Sequence, residues 1–147
     1  VNDPRQLSNE QIEALIQRGA IIGSAFDAWM LTPDWVRGES TPEKTNVKIS
    51  NVVDHIDHVC QIAGNSKHSG IGTDLDGGFG TEQSPADPNI IADIVSIANI
   101  LLDRGYRKSD VDSIMHGNFV RFAIESLPSQ GLSQSTSNKQ KRNYFFS

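Results

Sequence analysis

The fold class is indicated first by residues 68–80, which read HSGIGTDLDGGFG. Residues 68–73 suit a short buried strand, whereas the segment from Asp74 onward is polar and rich in glycine. A buried strand that ends in such a loop is typical of parallel α/β folds, where functional groups collect at the carboxyl ends of the strands. We therefore expect a strand over about residues 68–73 and a loop over residues 74–80 whose backbone a ligand or a second loop can approach.

The residues before this strand alternate between helical and strand patterns. Ser8 and Gln11 form a capping-box pattern that predicts a helix ending at Gly19. Residues 20–25 are short and apolar, which favours a strand buried on both faces. Residues 27–46 contain proline, glycine and several charges and are predicted to form a long loop.

Further helices are predicted on both sides of the 68–73 strand. Apolar residues recur at helical spacing over residues 49–63, and a glycine closes that helix. The same period returns over residues 88–104. Two shorter helices are expected to follow, one capped by Ser109 and one that ends at Leu127.

The resulting order is helix–strand–helix–strand–helix–helix, which predicts a parallel α/β architecture. Two parallel strands cannot form a stable sheet alone, and the chain begins with Val1 rather than with methionine. We therefore expect residues 1–128 to be the C-terminal portion of a larger parallel barrel or sheet.

Composition excludes several classes of protein. The chain has 147 residues, enough for one domain, and its net charge of −5 argues against a nucleic-acid or anionic-membrane surface. Cys60 is the single cysteine and excludes an internal disulfide. No apolar run approaches the length of a membrane span.

Residues 129–147 differ from the rest of the chain. They are rich in serine and glutamine, contain no acidic residue and carry Lys139, Lys141 and Arg142. With no helical or strand period, this Ser/Gln-rich basic tail is expected to be disordered. Its basic cluster is interpreted as solvated, with a localisation signal or a patch for an anionic partner as the alternative.

Asp74 is the sharpest candidate for function, because it lies where the predicted strand meets the glycine-rich loop. Asp76 follows two residues later. The alternative is a turn in which both carboxylates bind only nearby backbone amides. Arg5 precedes the first helix, where an arginine can bind a carboxylate through two parallel hydrogen bonds or simply be solvated.

The four histidines do not form a convincing metal site. His55 and His58 lie three residues apart on the 49–63 helix, where a structural role is favoured. His68 precedes the second strand at its amino end, which is the end associated with stability. His116 is predicted to lie in a turn between helices.

Several segments together resemble the membrane dipeptidase (renal-dipeptidase-like) family, in the correct order over about residues 4–127. The most specific match is the stretch from His68 to Gly77. The other matching segments are residues 4–11, 19–23, 53–58 and 117–121.

This resemblance implies a metal-dependent-hydrolase (β/α)8 TIM barrel that hydrolyses dipeptides. Two zinc ions, held by histidine and carboxylate ligands, activate a bridging water as hydroxide and polarise the scissile carbonyl. By position, Asp74 matches the aspartate that accepts a proton from this water and returns it to the leaving amine. Arg5 matches the arginine that pairs with the C-terminal carboxylate of the substrate, and Asp76 is then a supporting loop residue.

The zinc ligands of the family come from earlier strands, so the resemblance assigns no metal ligand in this chain. We expect the polypeptide alone neither to bind the metal pair nor to hydrolyse dipeptides. Side-chain preference is expected to depend on residues 26–46 and on residues outside the chain. The alternative is a non-catalytic binding or interaction module derived from a barrel fragment. The expected partners are a dipeptide substrate and no nucleic acid, with a homodimer as the candidate assembly.

Overall fold

The computed structural model describes residues 5–33, 35–88 and 90–127. The predicted tail over residues 129–147 lies outside this part of the chain, so its disorder stays a prediction.

The described residues form two strands and seven α-helices, joined by turns. In chain order these elements are α1 (Asn9–Gln17), β1 (Ile22–Ser24), α2 (Ala28–Leu31), α3 (Pro42–Thr45), α4 (Ile49–Ala63), β2 (Ser69–Ile71), α5 (Ser96–Asp103), α6 (Lys108–Asp112) and α7 (Asn118–Ser126). Single 3-10 turns lie at Thr81–Gln83 and Ile91–Val95, and one π-helical turn spans Ser113–Gly117.

The two strands are parallel and adjacent. Their register pairs Ile22 with Ser69, Gly23 with Gly70, and Ser24 with Ile71. The helix α4 lies in the connection between them and packs against both. This strand–helix–strand unit agrees with the α/β class, while the complete (β/α)8 barrel stays a prediction.

The helix α4 forms where its apolar period predicts it. Its N-terminal amide at Ile49 donates to Asp87 Oδ1 at 2.7 Å, and Gly64 ends the helix in the left-handed conformation at φ 65°. The apolar side of the helix enters a core that also receives α5 and the segment after β1. The buried residues of this core are Phe26, Ala28, Leu31, Val47, Ile49, Val52, Val53, Ile56, Cys60, Ile97, Leu101, Val111 and Ile114.

The capping box predicted for the first helix is present. The Gln11 amide donates to Ser8 Oγ at 3.3 Å, and the Ser8 amide donates to Gln11 Oε1 at 2.8 Å. Two reciprocal bonds at this position satisfy backbone donors that have no partner inside the helix.

Three of the sequence predictions are corrected by the structure. The predicted loop over residues 27–46 contains the one-turn helices α2 and α3; the second starts from Thr41, whose hydroxyl accepts from the Lys44 amide. The predicted helix over residues 88–104 is a 3-10 turn followed by the α-helix α5. Ser109 does not cap α6, because the helix begins at Lys108 with Arg107 at its N-cap, which places Ser109 inside the helix.

The last helix closes the outer side of β2. Asn118 is 1% exposed, and its side-chain amide donates to the carbonyls of Ser66 at 2.6 Å and Ser69 at 2.9 Å. Arg121 donates to the carbonyl of Lys67 at 2.8 Å. The segment that enters β2 is therefore held by side chains from α7. No helix in the described part of the chain is long and apolar enough to cross a membrane.

Candidate functional site

The two parallel strands end side by side. The Phe26 amide, two residues beyond β1, donates to the carbonyl of Thr73 at 3.0 Å. Asp27 follows Phe26 and Asp74 follows Thr73 in the sequence. Since adjacent strands lie about 4.8 Å apart, the two carboxylates start from neighbouring points at the same edge of the sheet.

Asp74 has an unusual backbone conformation for a residue with a side chain. Its φ is 56°, in the left-handed region, and its carbonyl accepts from the Gly77 amide at 2.8 Å. A Cβ at Gly77 would lie 2.5 Å from Asp74 Oδ1 and 2.8 Å from its carbonyl oxygen, so the tight turn requires glycine there. The turn leaves Asp74 and Asp76 exposed, three and five residues after the end of β2.

The end of β1 carries a cluster built around one indole ring. Trp29 and Asp27 are 9% and 5% exposed, and the indole N–H of Trp29 donates to Asp27 Oδ2. Asp27 Oδ1 accepts from Gln83 Nε2 at 2.9 Å. Two guanidinium groups lie over the ring, with the Cζ atoms of Arg5 and Arg37 at 3.9 and 4.5 Å from its centroid. We call these five residues the Trp29 cluster.

Arg5 also lines a cavity of about 510 Å³ beside the outer edge of β1. Residues 22–25 form one wall of this cavity, and His55 and His58 of α4 contribute to another. Burial lowers the pKa of His55, while the neighbouring Asp54 partly opposes this change. His58 Nε2 and Asn9 Oδ1 are hydrogen-bonded at 2.9 Å, which ties α4 to α1.

The other two histidines lie away from the carboxyl ends of the strands. His68 Nδ1 donates to the carbonyl of Ala20 at 2.9 Å, and this bond joins the segments that lead into the two strands. His116 is exposed in the π-helical turn. Within residues 5–33, 35–88 and 90–127, no group of three or more histidine, cysteine or acidic side chains is arranged to hold a metal ion.

Sequence reasoning found some of the site and missed the rest. It identified Arg5 and Asp74, and it included Asp27 and Trp29 within the loop expected to set substrate preference. It missed Gln83, whose partner lies 56 residues away. Arg37 also lies in that loop but was not singled out, because nothing local in the sequence marks its contact with Trp29.

Comparison with known proteins settles the family. The family model described as Membrane dipeptidase (Peptidase family M19) matches residues 1–134. The chain belongs to the membrane dipeptidase family. Both Arg5 and Asp74 lie inside the matched region.

A curated relative of this membrane dipeptidase family member comes from Klebsiella pneumoniae and is described as an uncharacterized protein in the pqqA 5'region. The two sequences are 28% identical over 118 residues, which is 80% of this chain and 40% of the relative. The chain thus spans less than half the length of that relative. The roles of individual residues do not follow from family membership.

Proposed function

We propose that a polypeptide containing this chain is a metal-dependent dipeptidase in which Asp74 transfers a proton and Arg5 binds the terminal carboxylate of the substrate. The family match over residues 1–134 is the observation that carries this proposal. The position of Asp74 three residues after β2, beside the segment that follows β1, supports its assignment. Because the chain covers 40% of its curated relative, the activity is proposed for the larger polypeptide.

Asp74 is suited to proton transfer by its exposure and its fixed backbone. The hydrogen bond from the Gly77 amide to the Asp74 carbonyl holds the residue in a left-handed conformation that most side chains avoid. Under the proposal, the carboxylate accepts a proton from the attacking water and delivers it to the leaving amine. A carboxylate on a rigid turn keeps its position through both steps.

Arg5 is suited to binding a carboxylate because two N–H groups of a guanidinium match the two oxygens of a carboxylate. Its Cζ atom lies over the Trp29 ring, 3.9 Å from the centroid. This contact with a buried ring gives the guanidinium a defined position near the end of β1.

The described residues do not fit a zinc pair, because no three candidate ligands come together among them. We therefore assign no metal ligand in this part of the chain. Under the proposal, the two zinc ions are bound by residues outside this chain, so the chain alone is inactive. Its metal content after purification, measured by atomic absorption, is expected to be less than one zinc per chain.

The proposal also includes the larger architecture. Residues 1–128 would be the C-terminal portion of a (β/α)8 barrel, with a homodimer as the candidate assembly. The parallel β1–α4–β2 unit is consistent with one repeat of such a barrel.

The test compares Asp74→Asn with Asp103→Asn, an exposed aspartate at the end of α5, in the larger polypeptide. Hydrolysis of an unblocked dipeptide is expected to slow by about 10²- to 10⁴-fold in kcat for Asp74→Asn and to stay unchanged in the control. A wild-type kcat in Asp74→Asn would remove the proton-transfer role. Dipeptide binding without any hydrolysis by the wild type would favour the non-catalytic binding module instead.

A further inference from the structure

We propose that an apolar cavity of about 210 Å³ beside the ends of the two strands binds one aliphatic side chain of the dipeptide substrate. Its lining includes Phe26, Leu75, Phe79, Ile90, Ile91 and Ile94. We call it the apolar cavity. The identity of the ligand as a dipeptide rests on the proposed function, whereas the preference for an aliphatic group rests on the lining itself.

The first step in the argument is the position of the apolar cavity. Phe26 precedes Asp27, and its amide donates to the carbonyl of Thr73 at 3.0 Å. Leu75 follows Asp74, and its amide donates to Thr73 Oγ1 at 3.4 Å. Part of the cavity wall is thus one residue along the chain from each of the two carboxylates at this edge of the sheet.

The second step is the way in which another part of the wall is held. Gly80 and Ser84 line the apolar cavity, and the Ser84 hydroxyl donates to the Gly80 carbonyl at 3.3 Å. Gln83, between them in the chain, donates to Asp27 Oδ1 at 2.9 Å. Because Asp27 is buried, these bonds tie the turn to a fixed group beside the candidate site. The cavity is therefore formed before any ligand binds, as small-molecule sites usually are.

The third step concerns the chemistry of the lining. The described residues that line the apolar cavity carry no charge. A charged side chain of the substrate would lose contact with water there without gaining a partner. Ile90 and Ile91 are 64% and 71% exposed, so an aliphatic ligand would remove further apolar surface from water, which favours binding.

The volume limits the ligand to part of a molecule. Cavities that enclose whole small-molecule ligands measure about 300–1,000 Å³. A cavity of about 210 Å³ is therefore suited to a single side chain, while the peptide group of the substrate stays outside it near Asp74. The inference adds residues 75–94 to the 26–46 segment that the sequence indicated for side-chain preference.

Steady-state kinetics of the larger polypeptide test the apolar cavity with the dipeptides Ala-Ala, Leu-Ala and Ala-Leu. One of the two leucine dipeptides is expected to have a KM roughly tenfold below that of Ala-Ala, because each added methylene group in an apolar pocket improves binding. Ile91→Asn should remove most of this advantage and leave the Ala-Ala reaction little changed, since it places an amide in the lining.

Val95→Asn is the matched control for this substitution. Val95 is 65% exposed and lies in the same 3-10 turn as Ile91, but it does not line the apolar cavity. The control is therefore expected to keep the full advantage of the leucine dipeptide.

A binding measurement separates this inference from the proposed activity. It uses analogues of the three dipeptides in which CH2–NH replaces the peptide CO–NH, so that no bond can be hydrolysed. In isothermal titration calorimetry of the larger polypeptide, one leucine analogue is expected to bind roughly tenfold more tightly than the alanine analogue. Its heat-capacity change should be more negative, as burial of apolar surface requires. Ile91→Asn should remove both differences.

The two measurements give distinct outcomes. Ile91-dependent discrimination between the analogues, without hydrolysis of any dipeptide, would support the apolar cavity and remove the proposed function. Hydrolysis with the same KM for all three dipeptides would overturn the cavity alone. An equal rise in KM for all three dipeptides in Ile91→Asn, or the same loss of discrimination in Val95→Asn, would also overturn it, because either result indicates a general structural effect.

Discussion

The two outer edges of the β1–β2 pair are completed differently. On the β2 side, α7 supplies Asn118, whose side chain binds the outward carbonyl of Ser69. On the β1 side, Gly23 and Ala25 direct their backbone groups away from β2, because Ile22 and Ser24 use theirs to pair with it. This second edge faces the cavity of about 510 Å³.

At the outer edge of β2, a side chain of α7 binds a backbone carbonyl that would otherwise pair with a neighbouring strand. At the outer edge of β1, backbone groups face a cavity that another parallel strand could fill. Since purely parallel sheets are normally buried on both faces and extended beyond two strands, the β1 edge supports the proposal of a larger barrel. Three predictions test this contrast.

The largest effect is expected from Asn118→Ala at the outer edge of β2. The change leaves the buried carbonyls of Ser66 and Ser69 without their side-chain donor, at an expected cost of about 3 kcal/mol in the free energy of unfolding. Urea denaturation of the larger polypeptide measures it. Asn99→Ala, which changes an exposed asparagine on α5, should alter this free energy by less than about 0.5 kcal/mol. Equal stabilities of the two variants would mean that α7 does not close this edge.

An intermediate effect is expected from the register pair Gly23 and Gly70. A Cβ at Gly23 would meet the backbone of Gly72 at 3.1 Å, whereas one at Gly70 would meet the Ile21 side chain at 3.3 Å. Backbone yields less readily than a side chain, so Gly23→Ala should cost about 1–2 kcal/mol and Gly70→Ala less than half of that. Thermal unfolding of both variants makes the comparison, and a larger loss for Gly70→Ala would contradict it.

The smallest effect is a pH dependence of the free energy of unfolding, caused by His55, which lines the cavity beside β1. Burial lowers the pKa of His55, so the unfolded chain binds a proton more readily than the folded chain. The stability contributed by neutral His55 is therefore present above the unfolded pKa of about 6.5 and is lost as the pH falls below it. His55→Gln should reduce the loss of unfolding free energy between about pH 7.5 and 5.5. His116→Gln is the exposed control, and an identical slope in His55→Gln and the wild type would refute the prediction.

The sequence was sufficient wherever the determining interactions are local. The apolar period of residues 49–63 predicted α4 with its observed bounds, and the capping box at Ser8 was present. The short helix α3 could also have been predicted, because Thr41 followed by Pro42 is a helix-start signal inside the supposed loop. The 3-10 turn before α5 has the same apolar pattern as a helix, so periodicity alone did not reveal it.

The site was predictable only in part, for the same reason. Asp74 carries a local signal, since a strand pattern precedes it and glycines follow it. The Trp29 cluster depends on residues far apart in the chain, such as Arg5 and Gln83, which only the folded backbone brings together. Residues 117–121 resemble the family in sequence. Only the structure shows that Asn118 and Arg121 in this segment donate hydrogen bonds to the carbonyls that precede β2.

The π-helical turn at Ser113–Gly117 determines the directions in which the side chains of α7 point. A π-helical turn holds one residue more than an α-helical turn, and each residue of an α-helix advances the side-chain direction by about 100°. Without that additional residue, Asn118 would point well away from β2, and the apolar side chains of Phe119 and Ile124, now 67% and 74% exposed, would be rotated as well. One inserted residue thus decides which side of the terminal helix serves the sheet and which side is presented outward.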